Sequence, residues 1–240
     1  MNKEYCLGPT KVIIRRLFKQ DMEDILGCYE KYKSLYHNPI TADYMENIFL
    51  CGEIWGAYFE NRMVACCYYF PMDSSFFKNS DFCRAIEDFI PCPEKYFLMG
   101  YVGINTDNFL RNSDKSGNSP TEDGLFQAFS NIAQMQAFRR GFRYILHPSP
   151  LKLVPLSETF FRCGYTMAAL RGMKNLVVHC IFVKSVFSED NMYETDRTVC
   201  PEKIPSSDTK KISALLENGY CGVDYSEKDN MLLMGKLVTD

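Results

Sequence analysis

Between residues 95 and 147 the chain spells out strand, long helix, strand. "KYFLMGYVGI" (95 to 104) is its most continuous apolar run, Leu125, Phe126, Phe129, Ile132, Ala133 and Ala137 recur at helical spacing, and "FRYILH" follows as a second strand. No other feature restricts the fold as much. Two strands joined through a helix lie parallel with a right-handed crossover, and an apolar run of this kind reads as a strand buried on both faces. The helix carries its own boundaries. Ser119-Pro120-Thr121-Glu122 has the form of a capping box with proline at the first helical position, Arg139 and Arg140 suit the negative end of the helix dipole, and Gly141 stops the helix.

The flanking segments supply the rest of a mixed sheet. "KVIIRRLFK" (11 to 19) reads as a strand, and Met22, Ile25, Leu26 and Tyr29 mark a helix after it. "TADYMENIFLCG" is a second helix with Thr41 as N-cap and Gly52 as terminator. "EIWGAYFE" and "MVACCYYFP" make an antiparallel hairpin turning at Asn61-Arg62. Residues 74 to 94 read as a helical insertion, and Asp73, Asp81, Glu87, Asp88 and Glu94 give that stretch a solvated acidic face. Past "FRYILH", "PSPLKLVP" breaks the chain, "LSETFFRCGY" forms a short helix ending at Gly164, and "TMAALRGM" and "LVVHCIFVKSV" are two more strands. The class is α/β (α+β), a central mixed sheet flanked by helices. Residues 1 to 187 form the main domain. From 188 the sequence turns polar and proline-broken, then gives a capped helix in "SSDTKKISALLENGY" and one or two strands in "CGVDYSEKDNMLLMGKLV", so 188 to 240 reads as a strap, helix and strand docked on the same domain.

Composition removes several classes of function. A net charge of -3 and a pI near 5.7 give no basic face for nucleic acid. No apolar run approaches the roughly 20 residues of a membrane helix, and "MNKEYCLGPT" lacks the apolar centre of a signal peptide, so the expected setting is the cytoplasm. The 11 cysteines show no zinc spacing, no metal is expected, and Cys66, Cys67 and Cys180 sit in apolar strands as buried, inert thiols.

From about residue 11 to 186, this order of elements resembles the GNAT superfamily of N-acetyltransferases. In that family the loop after the fourth strand reads roughly Gln/Arg-x-x-Gly-x-Gly/Ala and holds the pyrophosphate of coenzyme A on backbone N–H groups at the helix start. The matching stretch here is Asp114-Lys115-Ser116-Gly117-Asn118-Ser119, with Asp and Ser at its two ends where the family differs. The resemblance implies that Gly103 and Ile104 at the end of the central strand, Arg111 from upstream, Lys115, Ser116, Gly117, Asn118 and Ser119, and Phe160 from the short helix line an acetyl-CoA or other acyl-CoA site. Glu122 and Asp123, in the first turn, oppose an incoming phosphate. A family tyrosine that protonates the coenzyme A thiolate falls in register on Phe160, which has no proton to give. The family's Gly-aromatic pair is retained as Gly164-Tyr165, which makes Tyr165 a catalytic candidate, although Gly141-Phe142 and Gly219-Tyr220 repeat the pair as a plain helix stop.

Direct attack of an amine on a thioester needs a base and a polarised carbonyl. The family often places a carboxylate on the central strand, and "KYFLMGYVGI" has none inside it. His147, at the carboxyl end of the next strand, is then the candidate base. The resemblance implies an N-acyltransferase acting on a primary amine of a small molecule or peptide. The alternative is a catalytically inactive binding or interaction module of the same fold.

Overall fold

The computed structural model describes residues 3–7, 10–30, 41–78, 86, 90, 92–102, 122–150, 158–172, 178–187 and 193–238. Its strands are β1 (Lys3–Leu7), β2 (Thr10–Leu17), β3 (Glu53–Phe59), β4 (Arg62–Pro71), β5 (Tyr96–Val102), β6 (Tyr144–Pro150), β7 (Thr166–Gly172), β8 (Val178–Ser185), β9 (Glu202–Pro205), β10 (Tyr220–Ser226) and β11 (Met231–Lys236). The helices are α1 (Met22–Glu30), α2 (Ala42–Cys51), the single turn α3 (Ser75–Lys78), α4 (Glu122–Arg140), α5 (Glu158–Arg162) and α6 (Thr209–Glu217). The strands form one sheet in the order β1-β2-β3-β4-β5-β6-β8-β7-β10-β11-β9.

Alternation along the strands sorts side chains onto two cores. Phe97 and Met99 of β5, Cys67 and Tyr69 of β4 and Ile145 of β6 face α4 and α5, together with Leu125, Phe129, Ile132, Ala133 and Phe160. Tyr96, Leu98, Cys66, Phe70 and Leu146 face the other way, onto Ile25, Cys28 and Tyr29 of α1 and Met45 and Ile48 of α2. The segment after 188 extends the first core with Ile204, Ile212, Tyr225, Leu232 and Met234, and β10 pairs with β7 through Gly222 and Met167. Glu158 at the start of α5 and Glu227 in the β10–β11 turn each accept from the other's backbone N–H, at 3.2 and 3.3 Å.

Helix ends follow the local signals. Thr41 caps α2 by accepting from Tyr44 N–H, and Asp208 caps α6 by accepting from Lys211 N–H. Gly141, Gly164 and Gly219 stop α4, α5 and α6 at φ of 78°, 81° and 74°. The cap of α4 at Ser119 lies outside the described residues, as does most of the 74 to 94 insertion.

Four details differ from the sequence reading. The β3–β4 turn is centred on Glu60 and Asn61, both at positive φ, because Arg62 already pairs with Phe59. The edge strands β1 and β9 were not anticipated, since neither "KEYCL" nor "EKIP" alternates clearly. β6 runs on through Pro148 and Pro150 where a break was expected. The reason is that only one of its two edges carries a ladder there.

Candidate active site

β5 and β6 pair in parallel at Tyr96–Tyr144, Phe97–Ile145 and Leu98–Leu146 and then stop, although both strands continue for four more residues. On its other side β6 stays paired with β8 from Tyr144 to Pro150. Proline has no N–H, and Pro148 and Pro150 stand two apart, so both missing donors point to the same edge. Because the ladder to β8 survives, the bare edge is the one facing β5. The sequence therefore opens a fork in the middle of the sheet, and every candidate side chain can be placed relative to it.

His147 occupies the first unpaired position. Its Nδ1 lies 2.9 Å from Met99 O and must donate, since a carbonyl only accepts. The ring is 3% exposed and boxed by Phe126 at 5.3 Å, Phe160 at 5.4 Å and Tyr165 at 6.3 Å between centroids. Burial pushes its pKa down to about 4, the bond to Met99 opposing this, so the imidazole is neutral at pH 7. It is poorly suited to hold a proton taken from an ammonium. The phenol of Tyr165 enters the same box, donating to Met99 Sδ at 3.3 Å and accepting from Ser130 Oγ at 3.3 Å, and burial raises its pKa, so it keeps its proton. Lys184 Nζ lies 5.6 Å from the centre of the Tyr165 ring. Phe160 stacks edge-on to Phe126 at 4.7 Å and packs on Phe182 at 4.7 Å. Ser149, next on the same face of β6, is 4% exposed, and its Oγ has no hydrogen-bond partner. Such a hydroxyl is uncommon in a packed interior.

The opposite face of the fork is shaped by a glycine. Tyr68 of β4 pairs with Gly100 of β5, two residues past the last β5–β6 pair, and its ring lies across the strand. A Cβ on Gly100 would overlap Cζ, Cε2 and the hydroxyl of Tyr68, so only glycine admits the phenol there. Below it, Cys67 Sγ lies 3.0 Å from Gly100 O. Tyr44 of α2 meets the Tyr68 ring edge-on at 6.0 Å, and Phe70 stacks at 6.1 Å.

The structure thus brings His147, Phe160 and Tyr165 together at the fork. Gly103, Ile104, Arg111, Lys115, Ser116, Gly117, Asn118 and Ser119 lie outside the described residues. Tyr68, Met99 and Ser149 were missed by the sequence reading. Two signals pointed to them: the isolated glycine inside an apolar strand, which marks a close approach, and the Pro-x-Pro spacing around Ser149. Burial raises the pKa of the Cys66, Cys67 and Cys180 thiols, that of Cys180 to about 12; for Cys66 the hydrogen bond to Cys28 raises it more than burial does. Among the described residues no group of three or more His, Cys, Asp or Glu is arranged to hold a metal ion, and no helix is long and apolar enough to cross a membrane.

No family model and no curated protein matches the sequence. Solved structures match the fold. The GNAT domain of S. lividans PAT superposes with a TM-score of 0.51 at 14% identity, covering 77% of this chain and 96% of that one. An N-acetyltransferase from Staphylococcus aureus gives 0.50 at 10% identity over 73% of this chain and 97% of that one. An uncharacterized protein from Bacillus halodurans gives 0.52 at 10% identity, over 77% and 90%. The chain has the GNAT fold, a mixed sheet flanked by helices, in a sequence far diverged from these neighbours.

Proposed function

We propose that this protein is an acyl-CoA-dependent N-acyltransferase, with acetyl-CoA as its first candidate donor and a primary amine of a small molecule or peptide as acceptor. The observation that carries the reading is the fork between β5 and β6. Its β5 edge offers main-chain groups, and an extended arm bearing amides can pair with such an edge as an added strand would. Ser149 fits the same reading, because its buried hydroxyl gains a partner from such an arm. The donor contributes an activated thioester; the chain contributes position, exclusion of water and control of protons.

In this reading His147 is a positioning residue. Its Nδ1–H takes the Met99 carbonyl at the first site where the ladder fails, which holds the two strands at a set spacing. Tyr165 is a protonated phenol on the α4 side of the fork, bonded to Met99 Sδ. Gly103, Ile104, Arg111 and the segment from Lys115 to Ser119 remain the proposed contacts for the phosphates and the upper arm. A cytoplasmic setting belongs to the same proposal, supported by nine free cysteines among the described residues.

One specific observation favours a second reading, an inactive module of the same fold: Phe160 sits where the resemblance calls for a proton donor, and its ring is sealed by Phe126 and Phe182. Calorimetry with coenzyme A and acetyl-CoA, followed by thiol release over a panel of amines, separates the two. Saturable binding with amine-dependent thiol release is the expected result. Binding without release leaves the module, and an unchanged melting temperature and no heat with either compound removes the acyltransferase reading.

A further inference from the structure

Resting on the acyltransferase reading, we propose that Tyr68 is the group that protonates the departing thiolate of the acyl donor, a role that Phe160, in the family's register on α5, cannot fill. The assignment starts from the fork. β5 loses its β6 partner after Leu98, and Gly100, two residues on, is paired with Tyr68 across the opposite edge. The phenol leaves β4 and lies over the β5 backbone at Gly100, with its hydroxyl above the residue that stands two past the last β5–β6 pair. Any side chain at 100 would displace it. The ring is held from both sides, stacked on Phe70 and met edge-on by Tyr44, and its side chain is hydrogen-bonded to that of Tyr44, so the phenol has little rotational freedom.

This side of the sheet differs from the one that holds Phe160. Phe160, His147 and Tyr165 approach β5 from the α4 and α5 face, whereas Tyr68 approaches from the face of α1 and α2. Tyr68 is only half-buried, while Tyr165 is sealed, so of the two phenols Tyr68 is the more open to solvent. The titratable groups around it are Tyr44 from α2, with Tyr29 of α1 and Cys51 of α2 behind it, and Cys66 on its own strand. The step balances as follows. The amine nitrogen bonds to the acyl carbon, the carbon–sulfur bond breaks, the Tyr68 proton passes to the sulfur, and the proton the amine gives up returns to the phenolate directly or through water.

The test uses the full chain, acetyl-CoA and the amine panel, comparing wild type with Tyr68→Phe, which keeps the ring and its stacking. Calorimetric affinity for coenzyme A and KM for acetyl-CoA should stay within about twofold of wild type, while kcat falls by about 100-fold. The fall of wild-type kcat at high pH, where the donor ionises, should be absent from the variant. Restored turnover on adding Phe160→Tyr to Tyr68→Phe supports the assignment, since it returns a phenol from the other face. A kcat for Tyr68→Phe within twofold of wild type overturns it and leaves the acyltransferase reading standing. A loss fully accounted for by weaker coenzyme A binding does the same. A wild-type chain that releases thiol with no amine overturns both.

Discussion

The two halves of the β5–β6 pair are adjacent in sequence and opposite in character. In the paired half, Tyr96 and Tyr144 tilt together at 4.9 Å, Phe97 stacks on Phe142 at 5.2 Å, and the ladder is complete. In the parted half the residues are Met99 and Gly100 against His147, Pro148, Ser149 and Pro150. There a side chain replaces a ladder bond, one edge lacks N–H donors, and a hydroxyl is buried without a partner. The first half is built for stability. The second tolerates local costs of the kind that concentrate at functional sites.

The largest effect should come from removing what supports the parted half from behind. Residues 188 to 240 are proposed to be an integral part of the domain, tied to α5 through Glu158 and Glu227. Deleting 206 to 240 strips Ile212, Tyr225, Leu232 and Met234 from the core. At about 1.5 to 3 kcal/mol each this rivals the total net stability of a domain, about 5 to 15 kcal/mol. The truncated chain should be insoluble or melt far lower. A soluble truncation with an unchanged melting temperature would sink the proposal.

Next is Phe97→Ala in the paired half. It empties a fully buried site between Tyr69 and Phe142 and should cost about 3 to 5 kcal/mol in denaturant titration. In the parted half the matching experiment is a pH series. His147 has a folded pKa near 4 against 6.5 as its ordinary value, so the unfolded chain binds a proton in that window and the folded chain does not. Stability from this group is whole above pH 6.5 and falls as the pH drops towards 4, by about 3 kcal/mol in all. His147→Gln, which can still donate to Met99, should lack that slope; equal slopes in both chains would mean the imidazole is not neutral and buried.

Smallest is Ser149→Ala. A buried serine that makes its bond loses about 1 kcal/mol on this change, whereas Ser149 should lose nothing or gain a few tenths, because its Oγ has no partner. Affinity for coenzyme A should nonetheless fall several-fold. A clear loss of stability would show that the hydroxyl is satisfied in solution.

The strand–helix–strand unit was legible because its signals are local. The apolar stripe from Leu125 to Ala137 is buried, and Gly141, Gly164 and Gly219 all take the left-handed conformation that ends a helix. The fork was not legible, although its cause is in the sequence. Proline breaks a strand that has ladders on both edges, and Pro148 and Pro150 sit on one that has a ladder on a single edge, a fact of sheet order. The same holds for His147. Its position at a strand end was readable, but the rings of Phe126, Phe160 and Tyr165 that bury it and so depress its pKa come from α4, α5 and the turn before β7. Tyr68 was hidden for the converse reason: it looked like one aromatic among several until Gly100 lay beneath it.

Amide hydrogen exchange along β5, with and without saturating coenzyme A, tests the central claim most directly. If the fork is the acyl-donor slot, exchange slows on binding at those amides of residues 99 to 102 that do not donate to β4, while 96 to 98, already paired with β6, stay as they were. Protection that is equal along the strand, or that falls only elsewhere in the sheet, would contradict the account.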